Sequence, residues 1–166
     1  MEDNPFFIAV WLVCAAATVL AAVFAHRSAR ARYVGRAAVA VLFLVGGALL
    51  HVINLVDGDD YSGFADPAVS GWITDTWESV VVPNAVVFIG LLAVFEAAVG
   101  VLAASGGRRT LIAYVAVIAF YGVLWVFGPE ILFVLVMLPA MALLLRAEHR
   151  AAAAVTSNER EPAARV

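Results

Sequence analysis

The chain has 166 residues, of which 64% are hydrophobic and 14% are charged, and its mean hydropathy is +0.98. Soluble domains contain about 45 to 50% apolar and about 25% charged residues, and a chain of this size has too little interior to hide several apolar stretches of about 20 residues. The composition therefore indicates an integral membrane protein. It excludes soluble enzymes, nucleic-acid-binding proteins and secreted disulfide scaffolds, whereas the net charge of −3 decides little.

The first apolar run extends from Pro5 to about Ala25. Its leader is acidic, and the run has about the 20 residues that a bilayer crossing needs, whereas signal peptides have a basic leader and a shorter apolar core. We expect a retained transmembrane helix. Together with the basic connection that follows, it forms the first predicted region, residues 1–32.

Four further spans are predicted within residues 33–146, as a four-helix membrane domain. The second and third spans are continuous apolar runs, from Tyr33 to Val56 and from Pro83 to Ala104. The stretch from Thr110 to Leu145 is too long for one span, because as a single helix it would measure about 54 Å against a hydrocarbon core of about 30 Å. Gly128 and Pro129 divide it into two helices, since Gly favours a helix C-terminus and Pro a first helical turn.

The distribution of arginine predicts the orientation of these spans, because basic residues collect on the cytoplasmic side. With five spans and the N-terminus outside, all ten Arg lie inside and nine of the thirteen acidic residues lie outside. A four-span arrangement places the Arg-containing C-terminal segment outside, so we reject it. We expect a multi-pass protein of the plasma (inner) membrane, with residues 147–166 as a disordered cytoplasmic tail.

The outer loop at residues 57–82 carries a helical pattern of its own. It begins at Asp66, a candidate N-cap followed by Pro67, and its apolar residues recur at helical spacing. The pattern predicts an interfacial amphipathic helix on the outer surface. Its apolar side chains are Val69, Trp72, Ile73, Trp77 and Val80.

Glu96 is the most informative residue, because a carboxyl group deep in the third span costs a few kcal/mol unless it is protonated or paired. Small residues on the same helix face, such as Ala93 and Gly100, indicate that this face meets another helix and not lipid. Tyr114 and Arg36 are the partners expected near this depth. The residue types leave two interpretations open: a structural buried pair, or a group that handles protons or a quinone.

A second polar cluster is predicted near the outer face. Its side chains could surround a lipid headgroup or a quinone, although the histidine is equally compatible with an ordinary interface position. The members of this candidate outer pocket are His51, Asn54, Asp57, Tyr121 and Trp125.

Metal and disulfide chemistry is disfavoured by the residue pattern. Bis-histidine haem needs two His at one depth, whereas His26, His51 and His149 fall at different depths. The acidic run that starts at Asp57 lacks the glutamate that closes a calcium-binding loop. The single cysteine, Cys14, cannot form an intramolecular disulfide. We therefore expect no metal site.

The residues around Glu96 resemble the DoxX family of small integral membrane proteins, in which a Glu followed by small residues and Gly precedes a short Gly- and Arg-containing turn. The resemblance covers about residues 36–146 as a four-helix unit, so the helix that starts at Pro5 is an addition. The matching elements are VFEAAVGVL at 94–102, GGRR at 106–109, GFAD at 63–66, and Arg36 with Leu42, Phe43, Leu44 and Gly47 in the second span.

The resemblance implies a membrane subunit that supports quinone-linked redox chemistry and is not a complete enzyme by itself, with Arg36 and Glu96 as the buried polar pair. Relatives include a membrane subunit associated with thiosulfate:quinone oxidoreductase and membrane partners of redox-defence proteins. The implied ligand is a quinone, and the implied partners are the lipid bilayer and a membrane or redox protein or a second copy. The alternatives are an assembly factor that binds membrane proteins through small-residue faces and, with weaker support, a lipid or small-molecule permease.

Overall fold

The computed structural model describes residues 5–128 and 131–160, without the side chains of Leu132 and residues 155–160. The described residues form helices, turns and loops but no β-strand. Four helical segments are long and apolar enough to cross a membrane. The prediction of an all-helical membrane protein is confirmed to this extent. They are α1 (Pro5–Phe24), α2 (Ala29–Val56), α3 (Gly71–Ser105) and α4 (Gly107–Phe127). A further helix, α5, runs from Ile131 to Arg160.

The second helix begins earlier than the apolar pattern predicted. Ser28 is its N-cap, and the Ser28 hydroxyl accepts a hydrogen bond from the Ala31 N–H at 3.2 Å. Serine is a favoured N-cap because its side chain satisfies an N–H that has no partner within the helix. The predicted basic connection before Tyr33 is therefore helical from Ala29 onwards, and it forms the first turn of α2.

The middle of α2 is a π-helix over Leu42–Leu49. It contains Gly46 and Gly47, and the Gly46 carbonyl accepts a hydrogen bond from the Trp11 indole at 2.7 Å. A Cβ on Gly46 would lie 2.6 Å from the Trp11 ring, so α1 can approach only because this position is glycine. Segments of π-helix are rare and occur frequently at functional sites.

The predicted start of the amphipathic helix at Asp66 is wrong. Residues 64–67 form turns, and helix begins at Gly71 with Ser70 as N-cap. From there the chain continues without a break into the third span, through a π-helical segment (Trp77–Val81) and a 3₁₀ turn (Val82–Asn84). These changes in hydrogen bonding accommodate Pro83, which lacks an N–H. The loop helix is thus the first part of α3.

Glycines at positive φ form the turns around α4. Gly106 and Gly107, at φ +80° and +60°, connect it to α3, and Gly128, at φ +89°, follows its last turn as predicted. Positive φ carries no steric penalty for glycine. The predicted start of the next helix, Pro129 with Glu130 behind it, lies outside the described residues.

The prediction of a disordered tail from residue 147 is wrong as far as residue 160, because α5 continues to Arg160. Two features explain the difference. Glu148 is buried and paired with Arg36, which fixes this part of the helix, and the alanines at 151–154 have the highest intrinsic helix propensity. Residues 161–166 lie outside the described part of the chain.

The helices form a ring in which each contacts the next in sequence, and α1 closes it by contacting α5. Helices α1 and α5 run parallel, because Trp11 stacks on Phe133 near one end while Val23 and Leu143 line one groove near the other. We call the end that carries the 57–70 loop the loop end. The other end, which carries the α1–α2 and α3–α4 turns, is the arginine end.

Candidate functional site

A cavity of about 370 Å³ lies among the five helices towards the loop end. This volume lies within the range of small-molecule sites. Most of the wall is aromatic or aliphatic, and its four ionisable residues come from four different segments: α2, the 57–70 loop, α3 and α4. The lining residues are Trp11, Leu42, Phe43, Gly46, Gly47, His51, Tyr61, Phe64, Trp77, Ile89, Leu92, Glu96, Phe120, Tyr121, Leu124, Phe127 and Phe133.

Three aromatic rings cluster at the loop end of the cavity. Phe64 from the loop, Trp77 from α3 and Phe127 from α4 lie with ring centroids 4.9 to 5.4 Å apart, which suits aromatic packing. The Trp77 indole also donates to the Tyr61 carbonyl at 2.9 Å. Trp77 is therefore part of the cavity wall, whereas Trp72, predicted to share its apolar face, is 74% exposed.

Glu96 projects into the cavity wall from the middle of α3 and is buried. It faces the π-helical segment of α2, where a Cβ on Gly47 would lie 2.5 Å from Glu96 Oε1. Glycine at position 47 therefore creates the space that the carboxyl group occupies. Among the described residues, Glu96 Oε2 has no hydrogen-bond partner although it is buried. Such a group is costly unless a ligand, a proton or water satisfies it.

His51 lies one helical turn beyond Gly47, and its side chain reaches Glu96. His51 Nε2 is 3.5 Å from Glu96 Oε2, and His51 Nδ1 is 2.8 Å from the Tyr61 hydroxyl. The prediction placed Glu96 and His51 in separate clusters. The structure joins them, because both side chains are long and glycine at position 47 leaves the carboxyl group room beside α2.

Tyr61 was not identified from the sequence, because it lies in the loop and carries no helical pattern. The loop holds it in place: its N–H donates to Asp59 Oδ1 at 2.8 Å, and its φ is +61°, which is unusual for a non-glycine residue. Burial raises the pKa of Tyr61, and the nearby Asn54 side chain opposes this rise. The phenol therefore stays protonated and can donate to His51.

The structure brings together part of the predicted outer pocket. His51 and Tyr121 line the cavity, and Asn54 lies behind Tyr61. Asp57 is exposed at the C-terminus of α2, and Trp125 is half-exposed in the 3₁₀ turn that ends α4. Neither lines the cavity, because the chain turns away from the bundle at both positions.

The predicted pairing of Glu96 with Arg36 or Tyr114 is wrong. Arg36 Nε and Nη2 donate to the two carboxylate oxygens of Glu148 at 2.7 and 2.5 Å. The Tyr114 hydroxyl is buried with no hydrogen-bond partner among the described residues. Arg36 lies 15 residues before His51 on α2, about 22 Å along a helix, which is too far to reach the level of Glu96.

No protein-family model matches this chain, and neither a curated protein nor a solved structure was found to be similar to it. The resemblance to the DoxX family therefore rests on the short sequence elements alone.

Proposed function

We propose that the chain crosses the plasma membrane five times. The loop end then faces outside, and the arginine end faces the cytoplasm. The parallel course of α1 and α5 supports an odd number of crossings, and the Arg distribution supports the orientation. Ser62→Cys in the loop should react with an impermeant maleimide in intact cells. Ser105→Cys, at the arginine end, should react only after permeabilisation, and the reverse pattern would contradict this topology.

We further propose that the cavity binds a quinone and that the protein is a membrane subunit for quinone-linked redox chemistry. The observation that carries this proposal is the buried Glu96 Oε2, which has no hydrogen-bond partner among the described residues and lines a mostly apolar, aromatic-walled cavity. A flat quinone ring can pack on aromatic side chains. One carbonyl oxygen of the quinone can accept a hydrogen bond from protonated Glu96 or from His51.

A chain of three side chains provides a proton path between the cavity and the loop. The Tyr61 phenol can donate its proton to His51 Nδ1, and His51 Nε2–H then faces Glu96. Proton transfer along the path therefore runs from phenol to imidazole to carboxyl. The acidic loop residues Asp59 and Asp60 lie next to Tyr61, where protons exchange with solvent.

Reduction of a quinone to its hydroquinone consumes two electrons and two protons. In this proposal a partner redox protein supplies the electrons and the path through Tyr61, His51 and Glu96 supplies the protons. Oxidation of hydroquinone reverses both flows. The chain therefore acts as the quinone-binding and proton-handling part of a larger assembly.

Fluorescence titration tests the quinone site directly, because Trp11 and Trp77 line the cavity and a bound quinone quenches nearby tryptophan. We expect saturable quenching of the purified protein by a short-chain quinone. Glu96→Leu should weaken binding about tenfold, because it removes the donor of one hydrogen bond to the quinone and a loss of about 1.4 kcal/mol corresponds to a tenfold change in affinity. Tyr114→Phe is the matched control, because this buried side chain does not line the cavity. Unsaturable quenching, or equal affinity of wild type and Glu96→Leu, would contradict the proposal.

The alternative functions find less support in the structure. An assembly factor would need its small-residue face free, but Ala93 and Ala103 are buried, and Gly100 packs against Leu44 of α2. A permease would need a passage through the bundle. Towards the arginine end the interior is instead filled by fully buried side chains such as Tyr114.

A further inference from the structure

A groove between α1 and α5 lies at the arginine end, away from the cavity. Its volume is about 360 Å³. The floor is apolar and the rim is basic, and we call it the basic groove. The floor consists of Ala22, Val23 and Leu143, and the rim consists of His26, Arg146 and Arg150.

The described side chains of α5 do not neutralise the positive charge of the rim. Arg146 and Arg150 are four residues apart on α5, which places both guanidinium groups on one helix face. Glu148, the acid between them, lies on the opposite face and is held by Arg36. Among the described side chains, no carboxylate lies within ion-pair distance of Arg146 or Arg150.

In the proposed five-span topology, the basic groove lies at the depth where phospholipid headgroups meet acyl chains. Helix α1 has 20 residues and is therefore about 30 Å long, which matches the hydrocarbon core. Ala22 and Val23, in its last turn, lie at the edge of that core. His26, just beyond the helix, lies in the headgroup layer, so the rim and the floor face different layers of the membrane.

We propose that the basic groove binds an anionic phospholipid. The phosphate lies between the guanidinium groups of Arg146 and Arg150, which form strong hydrogen bonds to phosphate oxygens, and one acyl chain lies on the apolar floor. Basic pockets between transmembrane helices on the cytoplasmic side recognise anionic headgroups in this way. The apolar floor distinguishes a lipid from a free phosphate ion, which would contact only the rim. This site rests on the proposed topology, which the cysteine labelling tests separately, and it is independent of the quinone proposal.

Native mass spectrometry of the full chain in neutral detergent tests the site, with phosphatidylglycerol and phosphatidylcholine as the two probes. Wild type should bind phosphatidylglycerol in preference to phosphatidylcholine. The double variant Arg146→Gln/Arg150→Gln should bind phosphatidylglycerol about 30-fold more weakly, because each Arg near an anionic headgroup contributes about 1 kcal/mol. The control Arg108→Gln/Arg109→Gln removes the same charge at the same end of the bundle, outside the groove, and should stay close to wild type.

A second variant tests the acyl-chain part of the site. Leu143→Trp fills the floor without changing the charge, and Leu143 is half-exposed, so the fold should tolerate the larger ring. We expect weaker phosphatidylglycerol binding and an unchanged thermal unfolding temperature in detergent. Equal losses in both arginine double variants would overturn the proposal in favour of general surface charge. Full competition by inorganic phosphate together with an inert Leu143→Trp would overturn it in favour of a free-anion site.

Discussion

The two polar clusters inside the bundle differ in how completely their hydrogen bonds are satisfied. At the arginine end, Arg36 and Glu148 form two short, parallel hydrogen bonds, and the surrounding helices pack closely. At the loop end, Glu96 and His51 are 3.5 Å apart beside a cavity, and one carboxylate oxygen has no hydrogen-bond partner among the described residues. The first arrangement is complete without a ligand, whereas the second leaves a polar group that a ligand can satisfy.

This difference shows that burial of a charged residue does not by itself indicate function. Both acids are almost fully buried, at 5% exposure for Glu96 and 3% for Glu148. What separates them is the space and the unmet hydrogen-bonding capacity beside Glu96. The same contrast predicts that substitutions at the arginine end affect mainly stability, and that substitutions at the loop end affect mainly ligand binding.

The largest expected effect is loss of stability in Arg36→Leu. This change leaves Glu148 buried without its partner, which should reduce the free energy of unfolding by about 3 kcal/mol. Thermal or denaturant unfolding in detergent measures the loss. Quinone affinity of the folded fraction should stay at the wild-type value, because Arg36 does not line the cavity.

The double variant Arg36→Leu/Glu148→Leu is the control for this prediction. It removes both charged groups and replaces them with apolar side chains, so most of the lost stability should return. A double variant that is less stable than Arg36→Leu would show that each residue stabilises the bundle independently of their ion pair.

Gly47→Ala should have an intermediate effect and should act at the loop end. The added Cβ would lie 2.5 Å from Glu96 Oε1, so the carboxyl group must move. We expect the free energy of unfolding to fall by about 1 to 3 kcal/mol because of overpacking, and quinone binding to become weaker.

Gly90→Ala in α3 is the matched control, since nothing lies within 4 Å of its added Cβ. This control should be neutral or more stable, because Ala is favoured over Gly in helices by about 0.5 to 1 kcal/mol. Equal behaviour of the two variants would show that Glu96 is free to move.

The sequence predicted the class of the fold and the burial of Glu96, but not the partner of Glu96. Long apolar runs and glycine at position 128 identify the helices because these signals are local. The pairing of Arg36 with Glu148 joins positions 112 residues apart, and it was missed because residues after 146 were interpreted as a tail. Tyr61 was missed because its role depends on a loop conformation that no periodicity encodes.

The smallest expected effect is that of Tyr114→Phe, and it tests whether an unsatisfied buried group is always functional. Tyr114 is fully buried at 0% exposure, and its hydroxyl has no hydrogen-bond partner among the described residues. Unlike Glu96, it does not line the cavity, so no ligand can satisfy it there. Removing the oxygen removes a desolvation cost and leaves the ring packing intact. The free energy of unfolding should therefore stay unchanged or rise by up to about 1 kcal/mol, while quinone affinity stays at the wild-type value. A clear loss of stability would show that the hydroxyl has a partner, such as a buried water molecule, and that the arginine end contains a larger polar network than Arg36 and Glu148.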